Sequence, residues 1–372
     1  MMNKYNIAVL SGDGIGPEVI HETIKVLNAA AQTYVFQLQY HEALIGAIAI
    51  DETNNPLPQE TLAKCKASDA VLFGAIGDPK YDNDPSAKIR PEQGLLALRK
   101  ELGLYANVRP VKAYQKLINK SPLKESIIQG TDMVIYRELI SGIYFGDKST
   151  SADGKSAVDI CSYHQEEIES IARLAFKTAK QRNNKVTLID KANVLETSRL
   201  WRKVVKTIAM EFPEVELDFM FVDNAAMQLI LNPKQFDVIL TENMFGDIIS
   251  DEASVIGGSI GLLPSASIGE ESALFEPIHG SYPQAKGLGI ANPIASILSG
   301  AMMLEHLGEH EAAEAIEDAV LHCINAGVLT TDLDKTSKFI TSDIGDYICN
   351  HIRYRTGYRY QDNIPYHKST II

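Results

Sequence analysis

A chain of 372 residues is long enough for two domains, three at most, with buried cores that need no disulfide staples. Its 35 Lys and Arg against 48 Asp and Glu leave a formal charge of −13. That surface speaks against nucleic acid or an anionic membrane as partner, and any anion site must be built locally from placed cations.

The elements alternate from the start. Asn6 to Leu10 is a short buried strand, Ser11 to Gly16 a tight turn, and Pro17 opens a helix with Ile20, Ile24 and Leu27 on one face. Ala70 to Ala75 is a second buried strand and Gly94 to Leu102 a short helix. From about 141 to 164, around Ser151-Ala152-Asp153-Gly154, apolar and polar residues alternate as in a β-hairpin, which needs cover that a partner subunit could supply. Val186 to Asp190 is a strand, with a helix from near Val194. Val215 to Asp223 and Phe236 to Asn243 repeat the strand-then-helix pattern, and Asn292 to Leu307 and His310 to Ala326 are helical. This order predicts an α/β protein with a largely parallel sheet.

Cys65, Cys161, Cys323 and Cys349 show no CxxC spacing, so buried free thiols in a reducing compartment are expected rather than a zinc or redox motif. No signal peptide precedes the first strand, and no apolar run approaches the ~18 residues of a membrane span. The expectation is a cytoplasmic protein.

Asp247 and Asp251 lie four apart, which on a helix puts both carboxylates on one face, where they hold a hard divalent cation or form a solvated surface. Asp223 closes an apolar run. Arg99, Arg109 and Arg137 stand at the edges of structured segments, either as surface ion-pair partners or as a carboxylate clamp. Lys191 follows an apolar strand directly and is either solvent-exposed or a base in a cleft. Gly12, Gly14 and Gly16 have GxGxG spacing, not the Rossmann fingerprint, and neither a phosphate-binding GxxxxGK[ST] nor a GxSxG occurs.

Taken together, Gly12-Asp13-Gly14-Ile15-Gly16-Pro17-Glu18, Asp190-Lys191-Ala192-Asn193, Asn243-Met244-Phe245-Gly246-Asp247 and Glu276-Pro277-Ile278-His279-Gly280-Ser281 resemble the decarboxylating β-hydroxyacid dehydrogenases. This is the isocitrate/isopropylmalate dehydrogenase family, and the likeness is strongest to its isopropylmalate branch, from about Ile7 to beyond Gly300. The resemblance implies a two-domain α/β fold around a large mixed sheet, distinct from a Rossmann fold. Residues 1–104 plus 258–372 would form the cofactor-side domain. Residues 105–257 would carry the metal site, the dimer interface and the hairpin arm.

By the same resemblance Asp247 and Asp251 are metal ligands for Mg2+ or Mn2+, joined by Asp223 from the other subunit of a homodimer with shared active sites. Arg99, Arg109 and Arg137 clamp the substrate carboxylates. Lys191, from the neighbouring subunit, takes the hydroxyl proton, and Tyr144 protonates the enol after carbon dioxide leaves. Ile15, Glu92, His279, Gly280, Ser281, Gln284 and Asn292 match positions that hold NAD. The implied reaction converts 3-isopropylmalate to 4-methyl-2-oxopentanoate in leucine biosynthesis. Leu95 and Leu96 would form the apolar wall for the isopropyl group, with the partner's Val194 as a third contact, unless one of the two leucines is core. Tartrate, homoisocitrate and isocitrate are the alternative substrates. A non-catalytic regulatory subunit would lack one of Tyr144, Lys191, Asp223, Asp247 or Asp251, and all five are present.

Two departures stand out. NAD-using relatives carry an acid after the Pro of His-Gly-Ser-Ala-Pro-Asp, where this chain has Gln284, with Lys286 close by. NAD with weakened discrimination against NADP is the expectation. The Arg-Tyr-rich tail after about Ile352 extends beyond the family pattern.

Overall fold

The computed structural model describes residues 2–82 and 88–355. They fall into two compact units, one holding the residues up to Gly103 and those from Gly257, the other Leu104–Ile256. Beyond Arg355 the tail lies outside the described residues.

The first unit opens with β1 (Lys4–Gly12), α1 (Gly16–Tyr34), β2 (Gln37–Glu42), α2 (Ala47–Thr53) and α3 (Gln59–Lys66). It continues through β3 (Ala70–Ala75), α4 (Pro79–Asp82) and α5 (Pro91–Glu101). The second contains β4 (Ala106–Lys112), α6 (Glu125–Ile128), β5 (Asp132–Glu138), β6 (Lys148–Thr150), β7 (Ala157–Asp159) and α7 (Gln165–Gln181). It ends with β8 (Lys185–Asp190), α8 (Glu196–Ala209), β9 (Glu216–Phe221), α9 (Val222–Leu231), β10 (Val238–Thr241) and α10 (Asn243–Ser254). The chain then returns to the first unit with β11 (Pro264–Ile268), β12 (Ala273–Pro277), α11 (Ile294–His306), α12 (His310–Asn325) and α13 (Thr341–Arg355).

Each unit carries five strands of mixed sheet. In the first the order is β2-β1-β3-β12-β11, all parallel except the β11–β12 pair. Every residue of β3 is buried, the continuous apolar run of a strand covered on both faces. Helix α11 has no charged residue from Ile294 to Leu304 and all eleven are buried, so it is the unit's central helix. In the second unit the order is β4-β5-β10-β8-β9, with only β4–β5 antiparallel. The antiparallel pairs make the sheet mixed and not Rossmann-like, as the motifs imply.

Three local readings need correction. The helix placed at Gly94 begins at Pro91, whose fixed φ suits the first turn, and Gln93 Oε1 accepts the N–H of Arg90 at 3.0 Å. Asp223 does not end a strand: β9 stops at Phe221, and Asp223 lies in the first turn of α9. Arg109 sits in the middle of β4 and not at its edge. The hairpin is present as β6 and β7, a two-stranded antiparallel ribbon with every strand residue exposed. All four cysteines are free, three buried and Cys161 half-buried. Among the described residues no helix is long and apolar enough to cross a membrane.

Candidate active site

The β4–β5 register sets Asn107 opposite Arg137 and Arg109 opposite Ile135. Paired residues share a face of the sheet, as do residues two apart on one strand, so Asn107, Arg109 and Arg137 project to the same side. Helix α10 meets them there. Arg137 donates from Nε and Nη2 to Asn243 Oδ1 at 3.2 and 2.9 Å and pairs through Nη1 with Asp247. One helical turn on, Arg109 Nη1 reaches Ser250 Oγ at 2.7 Å and Asp251 Oδ1 at 3.1 Å, while its Nε donates to Asn107 Oδ1 at 2.7 Å. Two arginines on neighbouring strands are thus matched to two aspartates spaced i, i+4, about 6 Å apart.

The motif glycine has a plain reason here. A Cβ on Gly246 would lie 2.6 Å from Arg137 Cγ, so only glycine lets the guanidinium stem pass under α10. Below, Ile135, Ile239, Ile249 and Ala253 belong to one buried cluster that fixes the helix on the sheet. Tyr144, from the turn Gly142–Tyr144, donates its hydroxyl to Asp247 Oδ2 at 2.8 Å. Desolvation first, and the Asp247 carboxylate second, push its phenol above the usual range, so it carries its proton at neutral pH.

Asp247 and Asp251 supply hard oxygen donors on one face, which suits Mg2+ or Mn2+. Two carboxylates are an incomplete set, and among the described residues no group of three His, Cys, Asp or Glu could hold a metal. Asp223 stands instead with Lys191, whose Nζ lies 2.5 Å from its Oδ1. That contact holds the Asp223 carboxyl below its usual range. Lys191 leaves the end of β8 beside Asp190, a buried carboxylate anchored by Arg202 at 2.5 and 3.1 Å, and its own N–H donates to Ser198 Oγ at 3.1 Å. Asp223 is 68% exposed and Val194 61%.

In the first unit Leu95 is half-buried and Leu96 46% exposed, while the core leucine of α5 is Leu98. Neither member of the Leu95-Leu96 pair is core. Arg99 pairs with Glu276 at 2.7 Å, and its Nε is buried without a hydrogen-bond partner, a donor placed for a further acceptor.

The segment after β12 also holds a buried, unpartnered side-chain nitrogen. His279 Nδ1 lies 3.0 Å from the Gly280 carbonyl and its Nε2 is buried and unpartnered. Burial holds the imidazole below its usual pKa, hence neutral and able to serve a polar ligand group. At Gly280 nothing lies within 4 Å of where a Cβ would stand. These features suit a polar cofactor such as a dinucleotide.

The Ser281 carbonyl accepts the Ile15 N–H at 2.8 Å, while Gln284 and Lys286 are exposed. A Cβ on Gly14 would lie 2.0 Å from the Ser281 carbonyl oxygen, so the glycine turn exists for close backbone approach. The Ile15 side chain packs into a small core, and Asn292 is committed to Asp332 at 3.1 Å and to the Ile294 N–H at 3.1 Å. Glu92 Oε1 would lie 3.0 Å from a Cβ on Gly77.

Sequence reasoning missed Asn107, Asn243 and Ser250, which aim the arginines, and Asp13. Asp13 is buried and accepts the N–H groups of Ala47, Ile48 and Gly77 at 2.9 to 3.0 Å. The available signals were the places of Asp13 and Asn243 inside two of the quoted motifs, and Asn107 two residues before Arg109, therefore on its face of the strand.

This fold and site define an α/β class with carboxylate-binding arginines over a paired-aspartate helix. The isocitrate/isopropylmalate dehydrogenase family model matches residues 6–348, and the chain belongs to that family. It is 54% identical over 354 residues to the 3-isopropylmalate dehydrogenase of Wolinella succinogenes, covering 94% of this chain and 98% of the relative. It is 52% identical to that of Bacillus subtilis over 90% and 93% of the two chains. Among solved structures, an isocitrate dehydrogenase from Methylococcus capsulatus superposes with a TM-score of 0.84 at 36% identity, over 95% of this chain and all of the other. A β-decarboxylating dehydrogenase from Thermococcus kodakarensis reaches 0.81 at 38%, over 96% of this chain and all of the other.

Proposed function

We propose that this chain oxidises and decarboxylates 3-isopropylmalate to 4-methyl-2-oxopentanoate in the cytoplasm, as a step of leucine biosynthesis. The reading rests above all on the meeting of Arg109–Asp251 and Arg137–Asp247–Tyr144 on one face. It is reinforced by half identity along most of the chain to relatives named for that activity.

Asp247 and Asp251 would hold a divalent cation, and Arg109 and Arg137, which now pair with them, would bind the substrate carboxylates. Arg99 adds its unpartnered Nε. Lys191 accepts the proton of the 2-hydroxyl, and the Tyr144 hydroxyl delivers one to the carbon left by departing CO2. When bound, Mg2+ or Mn2+ supplies a Lewis acid that eases loss of the hydroxyl proton and draws electron density through the ketone. The segment from His279 to Asn292, together with Ile15 and Glu92, would hold NAD, which would supply the hydride acceptor.

Lys191 and Asp223 are paired with each other and not gathered with Asp247 and Asp251. That separation supports a homodimer in which each copy lends the pair, and Val194, to its mate's centre. Exposed Met227, Ile230 and Leu231 on α9 and Ile248 on α10 are apolar surface such a mate would cover, and the β6–β7 ribbon is a second.

Leu95 and Leu96 favour an isopropyl group over a third carboxylate, whose burial against leucine costs several kcal/mol by an order-of-magnitude account. Gln284 can hydrogen-bond the adenosine ribose hydroxyls without repelling a 2′-phosphate. The preference for NAD is therefore modest.

NADH formation from 3-isopropylmalate with NAD and Mn2+, beside isocitrate and tartrate, tests the assignment. Strong preference for isopropylmalate supports it. Better turnover of another diacid keeps the chemistry and removes the substrate.

A further inference from the structure

The first turn of α1 grips the segment after β12 at three points. The Ile15 N–H donates to the Ser281 carbonyl at 2.8 Å. The Ala285 side chain is fully buried in a small core with Ile15, Val19 and Ala291. The Glu18 carboxylate accepts the N–H of Gly287 and, at 3.2 Å, that of Gly289.

Gly287 and Gly289 have φ of 76° and 64°, the left-handed region, with no atom within 4 Å of a Cβ position. Such residues lose the most conformational freedom on ordering, so something must hold them. Between the gripped points Tyr282, Gln284 and Lys286 face outward and are exposed. Hydrogen bonds to a carboxylate are roughly twice as strong as neutral ones, and a negative charge is favoured in the first turn of a helix.

We propose that Glu18 is a positioning residue for the dinucleotide. By fixing Gly287 and Gly289 before any ligand arrives, it sets the direction in which Gln284 and Lys286 are presented. This rests on the reading of the segment from His279 to Asn292 as the cofactor-binding one. Glu18 need not touch the cofactor, because it acts by removing the ordering cost from the binding step.

The test uses the full-length protein with Glu18→Gln and Glu18→Ala. Three quantities are read: amide hydrogen exchange of residues 285–289 without ligand, NADH affinity by fluorescence titration, and steady-state constants. Glu18→Ala is expected to speed exchange and to raise both the NADH Kd and the KM for NAD about tenfold, with Glu18→Gln between it and wild type. Catalytic turnover and the KM for the diacid stay within about twofold, because uniform binding is lost and not transition-state contact. Should the alanine variant fail to fold, the glutamine variant carries the same comparison.

Unchanged exchange and unchanged NADH affinity overturn the proposal. So does faster exchange without any loss of NADH affinity, since the clasp would then serve the fold alone. Wild-type protein that binds no NADH overturns the cofactor reading itself, and this assignment with it.

Discussion

Two ion pairs of the second unit differ in what surrounds them. Arg137 and Asp247 meet over a buried cluster, with the arginine side chain only 6% exposed and shared with Asn243. Lys191 and Asp223 meet beside β9, the edge strand of its run, with exposed Val194 and Leu195 close in sequence. The first pair is completed by its own chain, since sheet register, the motif glycine and the core all fix it. The second lacks that support: an exposed ion pair contributes little to stability and flanking apolar residues gain nothing from water, which is what the proposed cover by a mate would supply. Packing marks the first pair as scaffold, and its lack at the second supports the proposal that Lys191 and Asp223 are lent to a mate.

Breaking the Lys191–Asp223 pair should have the largest effect. Lys191→Met is expected to lower turnover about 10³-fold or more, within the range for loss of an acid–base group, while thermal stability and dimer size hold. Retained activity in that variant would remove Lys191 from the mechanism.

Asp251→Asn strikes the scaffold half. Its expected cost is about 10²-fold in kcat/KM at low Mn2+, partly recovered at high Mn2+, with weaker Mn2+ binding by calorimetry. A loss that Mn2+ does not relieve, with binding unchanged, would take Asp251 out of the ligand set.

Gln284→Asp, on the exposed segment after β12, should raise the NAD over NADP ratio of kcat/KM about tenfold through repulsion of the 2′-phosphate. An unchanged ratio would move discrimination elsewhere.

The smallest effect concerns acids held by burial without a matched cation. Desolvation pushes Glu138 and Glu242 up to about 7; Glu138 accepts backbone N–H groups, and one Glu242 oxygen has no hydrogen-bond partner. The folded state keeps these protons between the unfolded value near 4.5 and about 7, where the unfolded chain has released them. Stability is therefore full below that window and falls as pH rises through it. Glu242→Gln should flatten the fall, leaving the variant with a higher Tm at about pH 8 by roughly 2–4 °C for each kcal/mol regained. Parallel Tm curves for variant and wild type would contradict this.

Much of the fold was legible because its signals are local. The continuous apolar run of β3 and the uncharged length of α11 admit few other readings. Boundaries were less so. Asp223 reads as the end of an apolar strand because Phe221-Val222 continues the run, whereas the chain turns helical there. Neither Leu95 nor Leu96 entered the core, since Leu98 takes that place one turn on. In the site, the residue types at Asp247, Asp251, Arg109 and Arg137 could be named, but not their pairing. The register of β4 on β5 decides which arginine meets which aspartate, and that register is fixed by a contact distant in sequence. The roles of Asp13 and Asn243 were hidden for the same reason: each acts by hydrogen bonds to segments far along the chain.

The claim that one copy's α10 face works with another copy's Lys191–Asp223 pair has a direct measurement. Purified Lys191→Met and Asp251→Asn proteins, each about a hundredfold or more below wild type alone at low Mn2+, are mixed in equal amounts, exchanged into hybrid dimers and assayed under that condition. About half of the dimers then hold one chain of each kind, with one of two centres intact, so roughly a quarter of wild-type activity should return. Verified hybrids with no activity would contradict a centre shared between subunits and place the whole chemistry within a single chain.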